Sequence, residues 1–111
     1  MPECACMTPP FNYKDFDKHA VGVDTAKGRY GEVAIETCHH CGSLWLTYFV
    51  EYEAFSGSAR WYRGLISPEV AETVTAENAV SILDGLDWHF AGGSYFDSTG
   101  RKGTGPVHVD L

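Results

Sequence analysis

The chain has 111 residues, 44% of them hydrophobic and 21% charged, with a formal net charge of −7 from 15 acidic and 8 basic side chains. These proportions exclude general disorder and fit one domain spanning residues 1–111, large enough to bury a single core. Lys and Arg scattered along an acidic chain disfavour general nucleic-acid binding, which rewards clustered cations, and no apolar run is long enough for a transmembrane helix.

The opening residues MPECACMTPP lack the basic start and apolar stretch of a secretory signal. A cytoplasmic protein with reduced thiols is therefore expected. Residues 1–31 read as irregular. Pro2, Pro9 and Pro10 break helices, and Gly22, Gly28 and Gly31 interrupt any sustained period. A leader of that length needs something to hold it down.

From Glu32 the pattern turns to period two. Val33, Ile35 and Thr37 share one face, and the strand delivers Cys38. After CHHCG comes LWLTYFVEYEAF, a second strand with Leu44, Leu46, Tyr48, Val50 and Tyr52 on one face and Trp45, Thr47 and Phe49 on the other. Ser56-Gly57-Ser58 reads as a turn, and residues 59–66 return as the next strand. A turn centred on Ser56-Gly57 sets Glu53 opposite Arg60 and Tyr52 opposite Trp61.

Two short helices follow this central hairpin. Ser67-Pro68-Glu69 supplies an N-cap and a proline at the first helical position, opening a helix over roughly 68–73. A second helix starts near Thr75-Ala76-Glu77-Asn78, with Ala79, Val80, Leu83 and Leu86 on its buried stripe. The tail reads as short β pieces around Gly92-Gly93, a glycine-rich surface loop at 98–105 and a terminal strand at Pro106-Val107-His108-Val109. The expected class is α+β: an antiparallel sheet with two short helices packed against it.

Four cysteines fall as two tight pairs, Cys4-x-Cys6 and Cys38-x-x-Cys41, the latter followed by Gly42. Thiolates suit tetrahedral zinc. A Cys-x-x-Cys turn brings two sulfurs to one ion, and a glycine after it lets backbone N–H groups face them. The whole arrangement over residues 4–46 resembles a zinc ribbon, an architecture rather than a named family. The resemblance implies a structural zinc held by Cys4, Cys6, Cys38 and Cys41, with His39 or His40 as substitute ligands. The first pair departs from the usual pattern in being one residue short and lacking its glycine. Two other readings stay open: unliganded core thiols, and a redox dithiol. The redox reading lacks the helix N-terminus that activates such a cysteine, since LWLTYFVEY runs on as a strand.

Other candidate chemistry is sparser. Glu51 and Glu53 read more simply as the polar end of a strand than as an acid–base pair. Arg60-Trp61-Tyr62-Arg63 interleaves cations and rings, but period two splits them between faces. Arg101 and Lys102, in the glycine-rich 98–105 segment, are the most basic spot on the chain and the candidates for a small anionic ligand. They do not follow the phosphate-loop pattern. His89, between Trp88 and Phe90, is the one residue around which a small enzyme's pocket could form. The expectation is a zinc-stabilised binding or interaction protein with a protein partner or a homodimer, touching it through His39-His40, Trp45 and Phe49, or the 98–105 segment. A small enzyme with a His89 pocket and a thiol redox protein are the alternatives.

Overall fold

The computed structural model describes residues 5–7, 11–25, 30–51, 57–94 and 98–107. Cys4, Tyr52, Glu53 and the end of the expected terminal strand lie outside them. Six strands form one sheet in the order of the chain, each antiparallel to its neighbour: β1 Phe16–Asp24, β2 Gly31–Cys38, β3 Leu44–Val50, β4 Arg60–Ile66, β5 His89–Gly93 and β6 Ser98–Gly103. Two helices, α1 Pro68–Ala71 and α2 Ala79–Gly85, follow β4. Ser67 caps α1 as its sequence requires, its Oγ accepting from the Val70 N–H at 3.2 Å. No described helix is long and apolar enough to cross a membrane.

Each face of the sheet has its own core. On the helix side, Leu46, Tyr48 and Val50 of β3 and Tyr62 of β4 pack with Ala79 and Leu83 of α2. A Cβ on Gly64 would run into Leu86 Cδ1 and Leu83 Cδ2, so this glycine is what lets α2 rest on β4. The Tyr48 hydroxyl donates to the buried Asp24 carboxylate at 2.8 Å, and its ring takes the space that a Cβ on Gly31 would need. On the opposite face, Cys6, Phe16, Cys38, Trp45 and Phe90 form a second buried cluster, with Phe11, Trp61 and Trp88 packed against it.

Four expectations are corrected. The leader is not irregular throughout: residues 16–24 form the edge strand β1. Its side chains are mostly exposed and it bulges between Ala20 and Gly22. Backbone pairing to β2 holds it, and that leaves no hydrophobic period to read. The β3–β4 register is shorter by three residues than the tight turn implied, with Phe49 opposite Trp61 and Val50 opposite Arg60. An odd shift sends every β4 side chain to the other face. Arg60 is accordingly buried on the helix side, while Trp61 and Arg63 face away from it. Trp45 is wholly buried and presents no contact surface, whereas Phe49 is 38% exposed. Finally, the 98–105 segment is not a surface loop, since 98–103 pair with β5 as β6. Three glycines gave it a loop's composition, but Arg101 and Lys102 lie in register opposite Ala91 and Phe90.

Candidate metal centre

β2 carries the chain to Cys38 and β3 restarts at Leu44, so the CHHCG turn sits at one corner of the sheet. Its backbone is closed by Gly42 N–H donating to Cys38 O and Cys38 N–H donating to Ser43 O, both at 2.9 Å. Gly42 has φ +75°, with nothing within 4 Å of the place a Cβ would occupy. Conformation, and not crowding, selects glycine here. With the chain so turned, the His40 N–H points at Cys38 Sγ from 3.4 Å, and Cys41 Sγ lies 3.0 Å from Ser43 Oγ. Both contacts are of the kind that orient and stabilise a sulfur ligand from outside.

The leader arrives from the other direction. A 3-10 turn at Ala5–Met7 places Cys6 against the CHHCG turn, with Cys6 Sγ 3.5 Å from Cys41 Sγ. The sulfurs of Cys6, Cys38 and Cys41 all lie within 4.8 Å of one another. For comparison, the edge of a zinc–thiolate tetrahedron with 2.3 Å bonds is about 3.8 Å. A second 3-10 turn, Tyr13–Asp15, is pinned to the same corner by the His39 N–H donating to Asp15 O at 2.8 Å. Cys6 and Cys38 are buried, and Cys41 is exposed.

The structure thus brings together three of the four cysteines singled out in the sequence, and the fourth, Cys4, is outside the described residues. It does not bring the histidines to them. His39 and His40 point to solvent on the flank of the turn, their Nε2 atoms engaged by Asp17 Oδ1 at 2.9 Å and Asp15 Oδ1 at 3.0 Å. Among the described residues the three sulfurs alone make up the group able to hold an ion.

Sequence reading missed the residue that faces this corner from within. The Arg63 guanidinium is buried over the rings of Phe16 and Phe11, at 4.4 and 4.6 Å, and within 5.5 Å of the Trp45 ring. Its Nη1 donates to Glu36 Oε1 at 3.3 Å. Burial pushes its pKa down from the ordinary arginine value, while Glu36 and, less strongly, Cys6 and Cys38 push it up. The β4 register decides this position, and the sequence alone gives that register the wrong parity.

Among the described residues, cavities open on both faces of the sheet. One of about 470 Å³ lies on the face away from the helices, beside the Cys corner, and includes Phe11, Glu36, Phe49, Trp61 and Arg63 in its walls. Small side chains make the hollow: Ala34 and Thr47 lie on its floor, and Thr47 turns its hydroxyl into the sheet to donate to Ala34 O at 3.1 Å. The other, about 290 Å³, is bounded by Tyr62, His89, Arg101, Lys102 and Thr104. It unites the three residues proposed separately for an anion and for a pocket base. Compared with family models, with curated proteins and with solved structures, the chain matches none.

Proposed function

We propose that this protein is a zinc-stabilised binding module whose metal is architectural. The observation that carries the reading is the convergence of Cys6, Cys38 and Cys41 sulfurs from two distant parts of the chain. A zinc-ribbon-like knuckle supplies Cys38 and Cys41, the leader supplies Cys6, and Cys4, two residues before it, is the fourth ligand. Four thiolates close the coordination sphere and leave no position for substrate or water, which is the structural arrangement. The aromatic hollow between Phe11, Phe49 and Trp61 is of ligand-site size and is the surface offered to a protein partner or a second copy of the chain. Buried apolar anchors ringed by charge, here Lys18, Glu32 and Glu36, suit such contacts.

Elemental analysis of protein purified without added metal tests the first half of this reading, with about one zinc per chain expected. Cobalt exchanged into the site should give intense thiolate-to-metal charge-transfer bands and tetrahedral visible bands, and Cys4→Ser should weaken both. Metal-free protein with thiols that oxidise and reduce reversibly would replace the zinc reading with the redox one. Sedimentation of the parent and of Phe49→Ser separates a homodimer, which the substitution would dissociate, from a monomer awaiting another protein.

A further inference from the structure

Arg63 is 7% exposed and lines the 470 Å³ hollow on the face away from the helices. A guanidinium can grip an oxyanion through its Nη1–Nη2 end or through its Nε–Nη2 side, each a fork of two parallel N–H groups. Here Nη1 donates to Glu36 Oε1 at 3.3 Å, whereas Nε and Nη2 are buried with no hydrogen-bond partner. The side fork is whole and unused. Trp45, wholly buried, carries a third such donor in its Nε1–H, and its ring lies 5.5 Å from Arg63 Cζ. Burying a donor without an acceptor is costly, and more so when the donor is charged. Three of them around one guanidinium form a place that an acceptor from outside the chain would stabilise.

The hollow beside this fork suits an apolar body. Phe11, Phe49 and Trp61 give it ring walls, and Ala34 and Thr47 a low floor. Phe11 also stacks on the guanidinium at 4.6 Å, so movement of that one ring joins the fork to the hollow. Charge selects the head group. Lys18 is in register with Glu36 across β1 and β2, so at this end the two cations Lys18 and Arg63 face the single acid Glu36. Glu32, the other acid among the described lining residues, stands four residues away along β2. That is about 13 Å at 3.3 Å per residue, beyond the screening length of about 8 Å at physiological salt. One negative charge is thereby matched, as on a carboxylate. A phosphate dianion would bring a second one, unmatched, beside Glu36.

We propose that the hollow binds a small organic acid with an aryl or alkyl body. Its carboxylate takes the Nε–Nη2 fork of Arg63, its body rests against Phe49 and Trp61, and Phe11 moves aside to admit it. The inference rests on the hollow being a binding surface, as proposed above, and needs neither the zinc nor a protein partner. The probe is 3-phenylpropanoate titrated into the whole chain as purified, with 3-phenylpropanamide as its uncharged counterpart. Saturable NMR shifts are expected at the Arg63 Nε–H and the Trp45 indole N–H. The amide should bind at least roughly tenfold more weakly, as loss of a charge-assisted contact requires. Arg63→Lys keeps the charge without the fork and should weaken the acid by a similar factor. Should that variant not fold, Thr47→Ile, which fills the floor and leaves Arg63 in place, should abolish binding. Equal affinity for acid and amide, saturation that leaves the Arg63 Nε–H unmoved, or no saturation at all would overturn the proposal. Sedimentation of the same samples reports separately on self-association. A chain that dimerises through Phe49 yet ignores the acid would keep the partner reading and end this one.

Discussion

At the scale of single residues, Arg63 is the most exacting position. Its guanidinium is enclosed by Phe11, Phe16 and Trp45, and its Nη1 donates a hydrogen bond to the half-buried Glu36. Removing one member of such a pair strands the other's charge, whereas removing both costs little. Glu36→Gln keeps an acceptor but loses the charge, and should lower stability by about 1–3 kcal/mol. Adding Arg63→Met, an unbranched side chain that can lie on the same rings, should recover most of that loss in metal-loaded protein. Urea midpoints of the two variants and the parent check this. A double variant less stable than Glu36→Gln would mean that the cation is needed for something other than Glu36, such as the charge of the Cys6 and Cys38 sulfurs.

At the scale of elements, β4 shows what its sequence could and could not convey. Alternation announces the strand but has two possible parities, and only contacts made by other elements choose between them. Gly64 makes the choice. It belongs on the face where α2 packs, because any other residue there would collide with Leu83 and Leu86, and this puts Arg60 on the helix side and Arg63 among the aromatics. Gly64→Ala should therefore cost about 1–3 kcal/mol through overpacking, and Leu86→Ala in that background should return part of it, a non-additivity that a double-mutant cycle measures. Additive losses would mean that α2 does not bear on Gly64. The start of α1 was legible because capping is local: Ser67 and Pro68 mark it within two residues of sequence. β1 and β6 were not, because each is an edge strand held by pairing to a single neighbour, and backbone hydrogen bonds leave no mark on side-chain pattern.

At the scale of the whole molecule, one strand couples the two cores. β3 sends Leu46, Tyr48 and Val50 to the helix side and Trp45 to the aromatic side, and it begins three residues after Cys41. The gathering of Cys6, Cys38 and Cys41 was visible in the sequence because a possible metal site depends on residue type and spacing. The aromatic packing around them was hidden because Phe11, Phe16, Trp45, Trp61 and Phe90 come from five separate segments. Structural zinc in small domains is worth about 10–16 kcal/mol of apparent binding free energy, against a net stability of about 5–15 kcal/mol for a domain as a whole. If the sulfurs hold such an ion, as proposed, its loss would release the leader, uncover Trp45 and free the start of β3, and the helix-side core would lose its central strand with it. Chelation during a brief exposure to denaturant, followed by return to buffer, should then leave no cooperative thermal transition, with Trp emission shifted to the red. Cys38→Ala should behave alike without chelator. If either sample melted in a single transition near that of the untreated parent, the sheet would be standing on its two cores alone, and the three sulfurs at its corner would have to be assigned a task other than holding it together.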